Sequence, residues 1–344
     1  MNRLAKFLML GALIVWAVPA SNAAAQQADP RDSEGAYFAP SNTLAAHLYV
    51  RHISSMESPT QGQSTMLGLV RGTYLLKFGN ITFTPLDFFI PVVDTTVYNG
   101  PTTLHLSGLG DPRYLPTIAL HLTQDAATLT HTWISLTTYL QLPFGQYNEL
   151  SPANIGENRF SVQPVLTIGQ RLAKILTIEG FFGAHFLMDN EKALAVVGLD
   201  PTTMAPMFAP STLSQEMGIN GGAHVAVDLS KTFNLGFSYL FTQTGAQTHT
   251  FANGATLPAA AEGTNHELRV TMAVNVAPTT TLRLQWAEGL ARDGSASRDR
   301  YIGLRFSHAV FLGDPPPGAA PAPASPPPPP PPAAEEEEED LSDI

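Results

Sequence analysis

The residues of this sequence that could do chemistry are charged and histidine side chains on the polar sides of alternating segments. They are Arg159, Glu179, His185, Glu216, His224, Glu267, Arg269, Arg283 and Arg305. If these side chains face one interior, they could contact a solute that passes through it. They could equally pair with one another and hold the wall together, because buried charges must be paired. Both interpretations stay open at this point.

The sequence contains no recognised catalytic motif. Gly-x-Ser-x-Gly, His-Glu-x-x-His, a phosphate-binding loop and a calcium loop are all missing. Cysteine is absent, and the 10 histidines do not have the spacing of metal ligands. We therefore predict a chain that is not an enzyme and has no catalytic residue, cofactor or metal. A lipid hydrolase built on a Ser/His pair near His121 or His131 remains an alternative, because nucleophilic catalysis needs only geometry.

Strands are the elements that would position these side chains. Between residues 266 and 276, the apolar Leu268, Val270 and Met272 alternate with Glu267 and Arg269. A period of two is typical of a strand with one apolar and one polar face. Twelve segments follow this pattern, at 44–54, 65–78, 80–92, 112–123, 131–142, 158–170, 174–188, 216–229, 233–243, 266–276, 282–286 and 302–306.

The lengths of the links between these segments indicate the architecture. Tight links at 79–80, 124–130, 171–173, 230–232 and 277–280 alternate with mostly longer ones at 55–64, 93–111, 144–157, 189–214, 245–264 and 289–297. This rhythm is typical of an outer-membrane barrel, whose turns are periplasmic and whose long loops are outside. We predict an all-β fold, a transmembrane antiparallel β-barrel of about 12 strands. A soluble β-sandwich is the competing fold, but its strands are usually only about five or six residues long.

The two ends of the chain differ from the body. Arg3 and Lys6 precede an apolar stretch and the small residues up to Ala25, which predicts a signal peptide at 1–25 rather than an N-terminal anchor. Residues 26–43 would form a leader or a plug, residues 44–312 the barrel, and residues 313–344 a disordered Pro-rich acidic tail. The formal net charge of −11 argues against nucleic acid as a partner.

A central stretch resembles a known family. The segments Leu142–Tyr147 (LPFGQY) and Asn154–Pro164 (NIGENRFSVQP), together with GLGDP at 108–112 and DN at 189–190, are similar to the family named "putative meta-pathway of phenol degradation". The resemblance covers most of residues 36–312. It implies an outer-membrane barrel of Gram-negative bacteria, transporter-like and linked to uptake of aromatic or other hydrophobic compounds. It implies no catalytic residues.

These observations together predict a channel in the bacterial outer membrane for small hydrophobic or aromatic solutes. Arg159 would point inward at the outer rim, where it could contact a solute or anchor the preceding loop. The expected partners are membrane lipid and the solute, with the tail in the periplasm either uncommitted or bound to a basic partner. The alternatives are a structural or surface-exposed barrel without transport, and the barrel lipid hydrolase.

Overall fold

A computed structural model describes residues 42–58, 61–99, 102–125, 130–151, 154–172, 175–199, 206–230, 232–277, 279–294 and 299–312. The predicted signal peptide, the leader or plug up to residue 41, and the tail from residue 313 lie outside the described residues.

Strands make up the described part of the chain. They are β1 (Thr43–Ser58), β2 (Gln61–Phe78), β3 (Ile81–Asn99), β4 (Thr102–Leu109), β5 (Arg113–Tyr114), β6 (Thr117–Asp125), β7 (Thr130–Gln141), β8 (Ser161–Leu172), β9 (Leu176–Leu187), β10 (Asn190–Leu199), β11 (Pro206–Gln215), β12 (Gly218–Asp228), β13 (Phe233–Thr244), β14 (Gln247–Thr250), β15 (Thr256–Ala260), β16 (Gly263–Ala277), β17 (Thr280–Gly294) and β18 (Asp299–Phe311). Within these residues, no helix is long and apolar enough to cross a membrane.

The main sheet closes on itself as an antiparallel barrel. Its ring runs β2, β1, β18, β17, β16, β13, β12, β9, β8 and β7, and then through β5 and β6 to β3, which pairs with β2. The short strands β4, β5 and β6 all pair with β3, so together they form one strand of the wall. Counted this way, the described residues form a closed 12-stranded barrel, which confirms the predicted fold class.

The faces of the barrel strands follow the predicted alternation. In β16, Glu267, Arg269 and Thr271 are buried inside, whereas Met272 and Val274 are exposed on the outer surface. The same division recurs around the ring, and it leaves the outer surface apolar. An apolar outer band around a closed sheet suits lipid, because closure leaves no unpaired backbone edge in the bilayer.

Five of the six predicted long links are instead largely strands. β1 and β2 extend into the link 55–64, and β17 extends into the link 289–297. β3 extends to Asn99 and forms a hairpin with β4, and the links at 189–214 and 245–264 contain β10, β11, β14 and β15. These last four strands form a second sheet in the order β10-β11-β14-β15. Every residue of β14 is half-buried and β15 is mostly exposed, so neither strand has an apolar face for periodicity to reveal.

The two ends of the barrel are different. One end carries the tight turns such as Gly79-Asn80, where Gly79 takes a φ of 59°, a conformation that glycine adopts without steric cost. We call this the turn end. The other end carries the second sheet and the loop 142–160 between β7 and β8, and we call it the loop end.

Candidate functional site: the barrel lumen

Most of the charged residues predicted from the sequence line the inside of the barrel. Arg159, Glu179, His224, Glu267, Arg269 and Arg305 are buried, whereas His185 and Arg283 are half-buried. The lumen is therefore lined by charged groups of both signs.

Glu216 was predicted to face inward, and it lies outside the barrel strands. It is exposed in the short link between β11 and β12, and its backbone N–H donates to the carbonyl of Ala246 (2.9 Å) in the matching link between β13 and β14. These two links, at 216–217 and 245–246, separate the barrel strands β12 and β13 from the strands β11 and β14 of the second sheet. An alternation counted from the turn at 230–232 does not continue across such an interruption.

The depth of the buried charges could be predicted by counting residues from the turns. Glu179 and His224 were expected to lie side by side, and they are register partners on β9 and β12, which confirms that prediction. His224 Nδ1 lies 2.7 Å from Ser238 Oγ on the next strand. His185 is the register partner of Gly218, two residues from Glu216.

A group of arginines and aromatic rings lies on the inner wall formed by β18, β1, β2 and β3. The Arg305 guanidinium carbon lies 4.7 Å from the centre of the Tyr49 ring. The Arg51 guanidinium carbon lies 5.1 Å from the Tyr301 ring centre. Arg71 lies over the Phe89 ring at 4.8 Å. Arg51, Arg71 and the two tyrosines were not predicted as lumen residues. The signal for Tyr49, Arg51 and Arg71 was their inward phase in segments 44–54 and 65–78. Tyr301 directly precedes segment 302–306 and shares the inward phase of Arg305.

A buried ion pair holds Arg71 in place. Arg71 donates from Nε to one Asp87 oxygen (2.7 Å) and from Nη2 to the other (2.6 Å). Thr73 adds a third hydrogen bond to this carboxylate (3.1 Å). A two-point contact of this kind is stronger and more directional than a single hydrogen bond, so this carboxylate is committed to the wall.

A small cavity opens between the arginines of the inner wall. Its volume is about 20 Å³, enough for one water-sized group. It is lined by Tyr49, Arg51, Thr271, Arg283, Gln285, Gly303, Leu304 and Arg305. Three guanidinium groups are therefore among the described residues of the lining.

The loop 142–160 folds back into the mouth at the loop end. Gly108 on β4 faces the lumen, and a Cβ atom there would lie 1.8 Å from Gln146 Oε1 and 3.0 Å from Ile155 Cδ1 of this loop. Ile155 is buried and joins an apolar cluster with Val92 and Val93 on β3. Only a residue without a side chain allows the loop to approach the wall this closely, which accounts for the glycine.

Asp111 fastens this loop. Its Oδ1 accepts a hydrogen bond from the Gly145 backbone N–H (2.8 Å), and its Oδ2 accepts one from the Glu157 backbone N–H (2.6 Å). Gln141 Nε2 donates to Oδ2 as well (3.3 Å). One carboxylate therefore ties both arms of the loop to the wall, a role that the sequence analysis did not assign to Asp111.

The Asn154–Pro164 motif forms the second arm of this loop. Asn158 takes a φ of 53°, and its Nδ2 donates to Asn190 Oδ1 (3.2 Å). Asn190 Nδ2 donates in turn to the carbonyl of Glu157 (2.9 Å). Arg159 donates to the Glu157 carboxylate (2.9 Å) and to Gln215 Oε1 (2.9 Å). The contacts of Arg159 are thus those of a residue that anchors the loop.

A histidine pair occupies the turn end of the lumen. His121 Nδ1 lies 2.6 Å from His131 Nε2, and His121 Nε2 lies 2.7 Å from Thr82 Oγ1. The His131 ring also packs against the buried Trp133 (5.0 Å between ring centres). In the part of the chain that the structure describes, no group of three or more side chains could hold a metal ion.

The comparisons with known proteins give one family and one similar fold. The model of a family described as "Putative MetA-pathway of phenol degradation" matches residues 28–309, which confirms the resemblance seen in the sequence. The COG4313 outer membrane channel from Pseudomonas putida F1 is 17% identical, with 83% of this chain and 100% of that chain covered and a TM-score of 0.66. It shares the barrel fold.

A second structure is less similar. The Pseudomonas putida toluene transporter TodX is 9% identical over 85% of this chain and 93% of that one, with a TM-score of 0.44. No curated protein sequence is similar enough to count as a match.

Proposed function

Because this chain belongs to the family described as "Putative MetA-pathway of phenol degradation", we propose that it is a passive outer-membrane channel for small hydrophobic or aromatic solutes. The observation that carries the proposal is a lumen lined by aromatic rings and charges and covered at one end by an inward-folded loop. The Pseudomonas putida F1 protein of the same fold is an outer membrane channel, and we extend that role to this chain.

The apolar part of the lumen supports passage of hydrophobic solutes. Inside the barrel, a buried cluster consists of Tyr49, Phe89, Leu115, Tyr139, Val165, Phe181 and Leu240. The interior of a water-filled porin is polar. Aromatic rings in the lumen instead offer an uncharged solute faces against which to pack.

The charged part of the lumen supports selectivity. We propose that solutes meet Arg159, Glu179, His185, His224, Glu267, Arg269, Arg283 and Arg305 on their way through. A charged side chain on the wall stabilises a solute of opposite charge and repels a solute of like charge. Opening of the loop 142–160 would then control access to this wall.

The orientation follows from the number of barrel strands. An even number brings both ends of the barrel chain to the same side, which in outer-membrane barrels is the periplasm. We therefore propose a cleaved signal peptide at 1–25, a leader or plug at 26–43 and a periplasmic tail at 313–344, whose acidic run at 335–340 could bind a basic partner.

Conductance of the refolded protein in planar bilayers tests the channel, and two adjacent phenylalanines on β9 provide matched variants. Phe181 faces the lumen (6% exposed), whereas Phe182 faces outward (58% exposed). We expect the wild type to conduct, Phe181→Ala to change the single-channel conductance and Phe182→Ala to leave it unchanged.

A deletion strain provides the second measurement. We expect slower uptake of an aromatic substrate at low external concentration, restored by the wild-type gene. A barrel that never conducts, in cells without an uptake defect, would be structural and would contradict the channel. Hydrolysis of lipid by the refolded protein, abolished by one Ser→Ala change, would show that the barrel is a lipid hydrolase.

A further inference from the structure

We propose that the second sheet is the surface on which the loop 142–160 closes, and that Asn190 is the positioning residue that holds the loop there. The inference rests on the proposed function, because it names a second anchor that controls the same opening. It comes from the contacts that the two described arms of the loop, residues 142–151 and 154–160, make with the first residues of β10.

Asn190 connects both arms of the loop to the second sheet. Its Nδ2 donates to Tyr147 Oη in the first arm (3.1 Å) and to the carbonyl of Glu157 in the second arm (2.9 Å). Its Oδ1 accepts hydrogen bonds from Asn158 Nδ2 (3.2 Å) and from the backbone N–H of Lys192 (3.0 Å). A side-chain amide has two N–H donors and one oxygen with two lone pairs, so these bonds use the whole group.

The start of β10 is shaped for this contact. Asn190 is the register partner of Leu213 on β11, and the register of this pair of strands shifts between Asn190 and Ala193. An irregularity of this kind re-aims a side chain relative to the rest of its strand. Asn190 is 4% exposed, whereas Glu191 and Lys192 are both exposed. The amide therefore faces the loop and does not follow the alternation of a regular strand.

The first arm of the loop also contacts β10 directly. Tyr147 Oη donates to the carbonyl of Lys192 (2.7 Å), and the Glu149 carboxylate forms an ion pair with the Lys192 ammonium. Both side chains of this ion pair are more than half exposed. Exposed ion pairs contribute little to stability, so the buried amide and the tyrosine hydroxyl provide most of this anchor.

Asp111 and Asn190 hold the loop from two sides. Asp111 lies between β4 and β5, and β5 pairs with β7, whereas Asn190 begins the strand after β9, which pairs with β8. The two anchors therefore flank the strands that the loop connects. They meet at Glu157, whose backbone N–H bonds Asp111 and whose carbonyl bonds Asn190. Opening of the loop has to break both anchors.

Single-channel recording of the refolded full chain tests the second anchor with Tyr147→Phe. This change keeps the ring and removes the hydroxyl that bonds Lys192 and Asn190. A neutral hydrogen bond contributes roughly 2- to 10-fold to an equilibrium. The loss of two such bonds should raise the ratio of open to closed channel roughly 4- to 100-fold. The single-channel conductance should stay at the wild-type value, which a general disturbance of the barrel would not leave unchanged.

Tyr74→Phe is the matched control. The Tyr74 hydroxyl donates to Asn42 Oδ1 (3.3 Å) at the turn end, so the same group is removed far from the loop. We expect this variant to keep the wild-type ratio of open to closed channel. Equal effects of the two variants, or no effect of Tyr147→Phe, would overturn the inference.

Cross-linking the loop to the second sheet provides the converse test. The chain has no cysteine, so Glu149→Cys and Lys192→Cys can be joined by a reducible thiol cross-linker. We expect the cross-link to stop conduction until a reductant is added. The control is the same cross-link between Asp94→Cys and His105→Cys, which replace another exposed ion pair and should leave conduction unchanged. A channel that conducts with its loop locked at β10 would overturn the inference and leave the proposed function in place.

A third measurement does not depend on conduction. Ile155 lies in the second arm and is only 8% exposed while the loop is closed. A thiol reagent should modify Ile155→Cys faster when Tyr147→Phe is also present, and at the original rate when Tyr74→Phe is present. Faster modification in a barrel that never conducts would support the second anchor and overturn the channel. Equal rates in the three backgrounds would overturn the anchor.

Discussion

Replacing Asp111 by asparagine is expected to open the mouth of the barrel. The wild-type carboxylate accepts hydrogen bonds from the backbone N–H groups of Gly145 (2.8 Å) and Glu157 (2.6 Å), one on each arm of the loop 142–160. Asparagine keeps a single acceptor oxygen and turns an NH₂ group toward the other N–H. One arm of the loop therefore loses its attachment, while the shape of the residue hardly changes.

The size of the effect follows from the kind of bond that is lost. A hydrogen bond to a charged group contributes about 1.5–3 kcal/mol. With about 1.4 kcal/mol for each factor of ten, the ratio of open to closed loop should rise roughly 10- to 100-fold. Because Asp111 lies at the loop end rather than in the middle of the wall, the barrel itself should still fold.

Single-channel recording gives the open probability directly. Asp94→Asn is the matched control, because Asp94 pairs with His105 at an exposed position, where its side chain is 40% accessible. We expect Asp111→Asn to raise the open probability and Asp94→Asn to leave it at the wild-type value. If Asp111→Asn frees the loop for protease cleavage without changing the open probability, the loop does not control access.

Three further predictions concern the stability of the fold. Gly169→Ala should destabilise the barrel by about 1–3 kcal/mol in urea titrations, because its Cβ would lie 2.2 Å from the ring of a buried tryptophan. Gly72→Ala should cost little, because nothing lies within 4 Å of that position, and equal costs would contradict the explanation. Leu166→Arg, on the outer face in the middle of β8, should lower the free energy of unfolding by roughly 2–4 kcal/mol, and Leu172→Arg at the strand end by only about 0–1 kcal/mol. A larger loss for Leu172→Arg would show that the middle of β8 does not lie at the centre of the bilayer. Burial lowers the pKa of His249 in the second sheet, so its midpoint followed by NMR should lie below about 6.5. Because the folded form resists protonation, the stabilisation by neutral His249 should be lost as the pH falls below about 6.5 toward the lowered pKa. A titration midpoint of His249 above about 6.5 would be inconsistent with burial.

The barrel could be predicted because the polarity of each strand residue indicates whether it faces the lumen or the outer surface. In β16, the alternation of Glu267 and Arg269 with Leu268 and Val270 needs no knowledge of any partner strand. The register of Glu179 and His224 followed from counting residues back from tight turns. Local periodicity and short turns therefore carried the information for the wall of the barrel.

The loop end could not be predicted in the same way. Asp111 bonds residues that are 34 and 46 positions away along the chain, and its own sequence neighbourhood reads as an ordinary turn. β14 and β15 of the second sheet have no buried face, so hydrophobic periodicity does not reveal them. Glu216 lies outside the strands, in the link between β11 and β12, where the alternation of the barrel strands has ended.

The pairing of β1 with β18 has a consequence for how the protein is made. Leu44 and Val310 are register partners, although almost the whole described chain lies between them. The ring therefore cannot close until the final strand has been synthesised. Until then the edges of β1 and of the last available strand have unpaired backbone groups, which invite mispairing with other chains. The pairing of β1 with β18 is thus the step that removes both exposed edges at once.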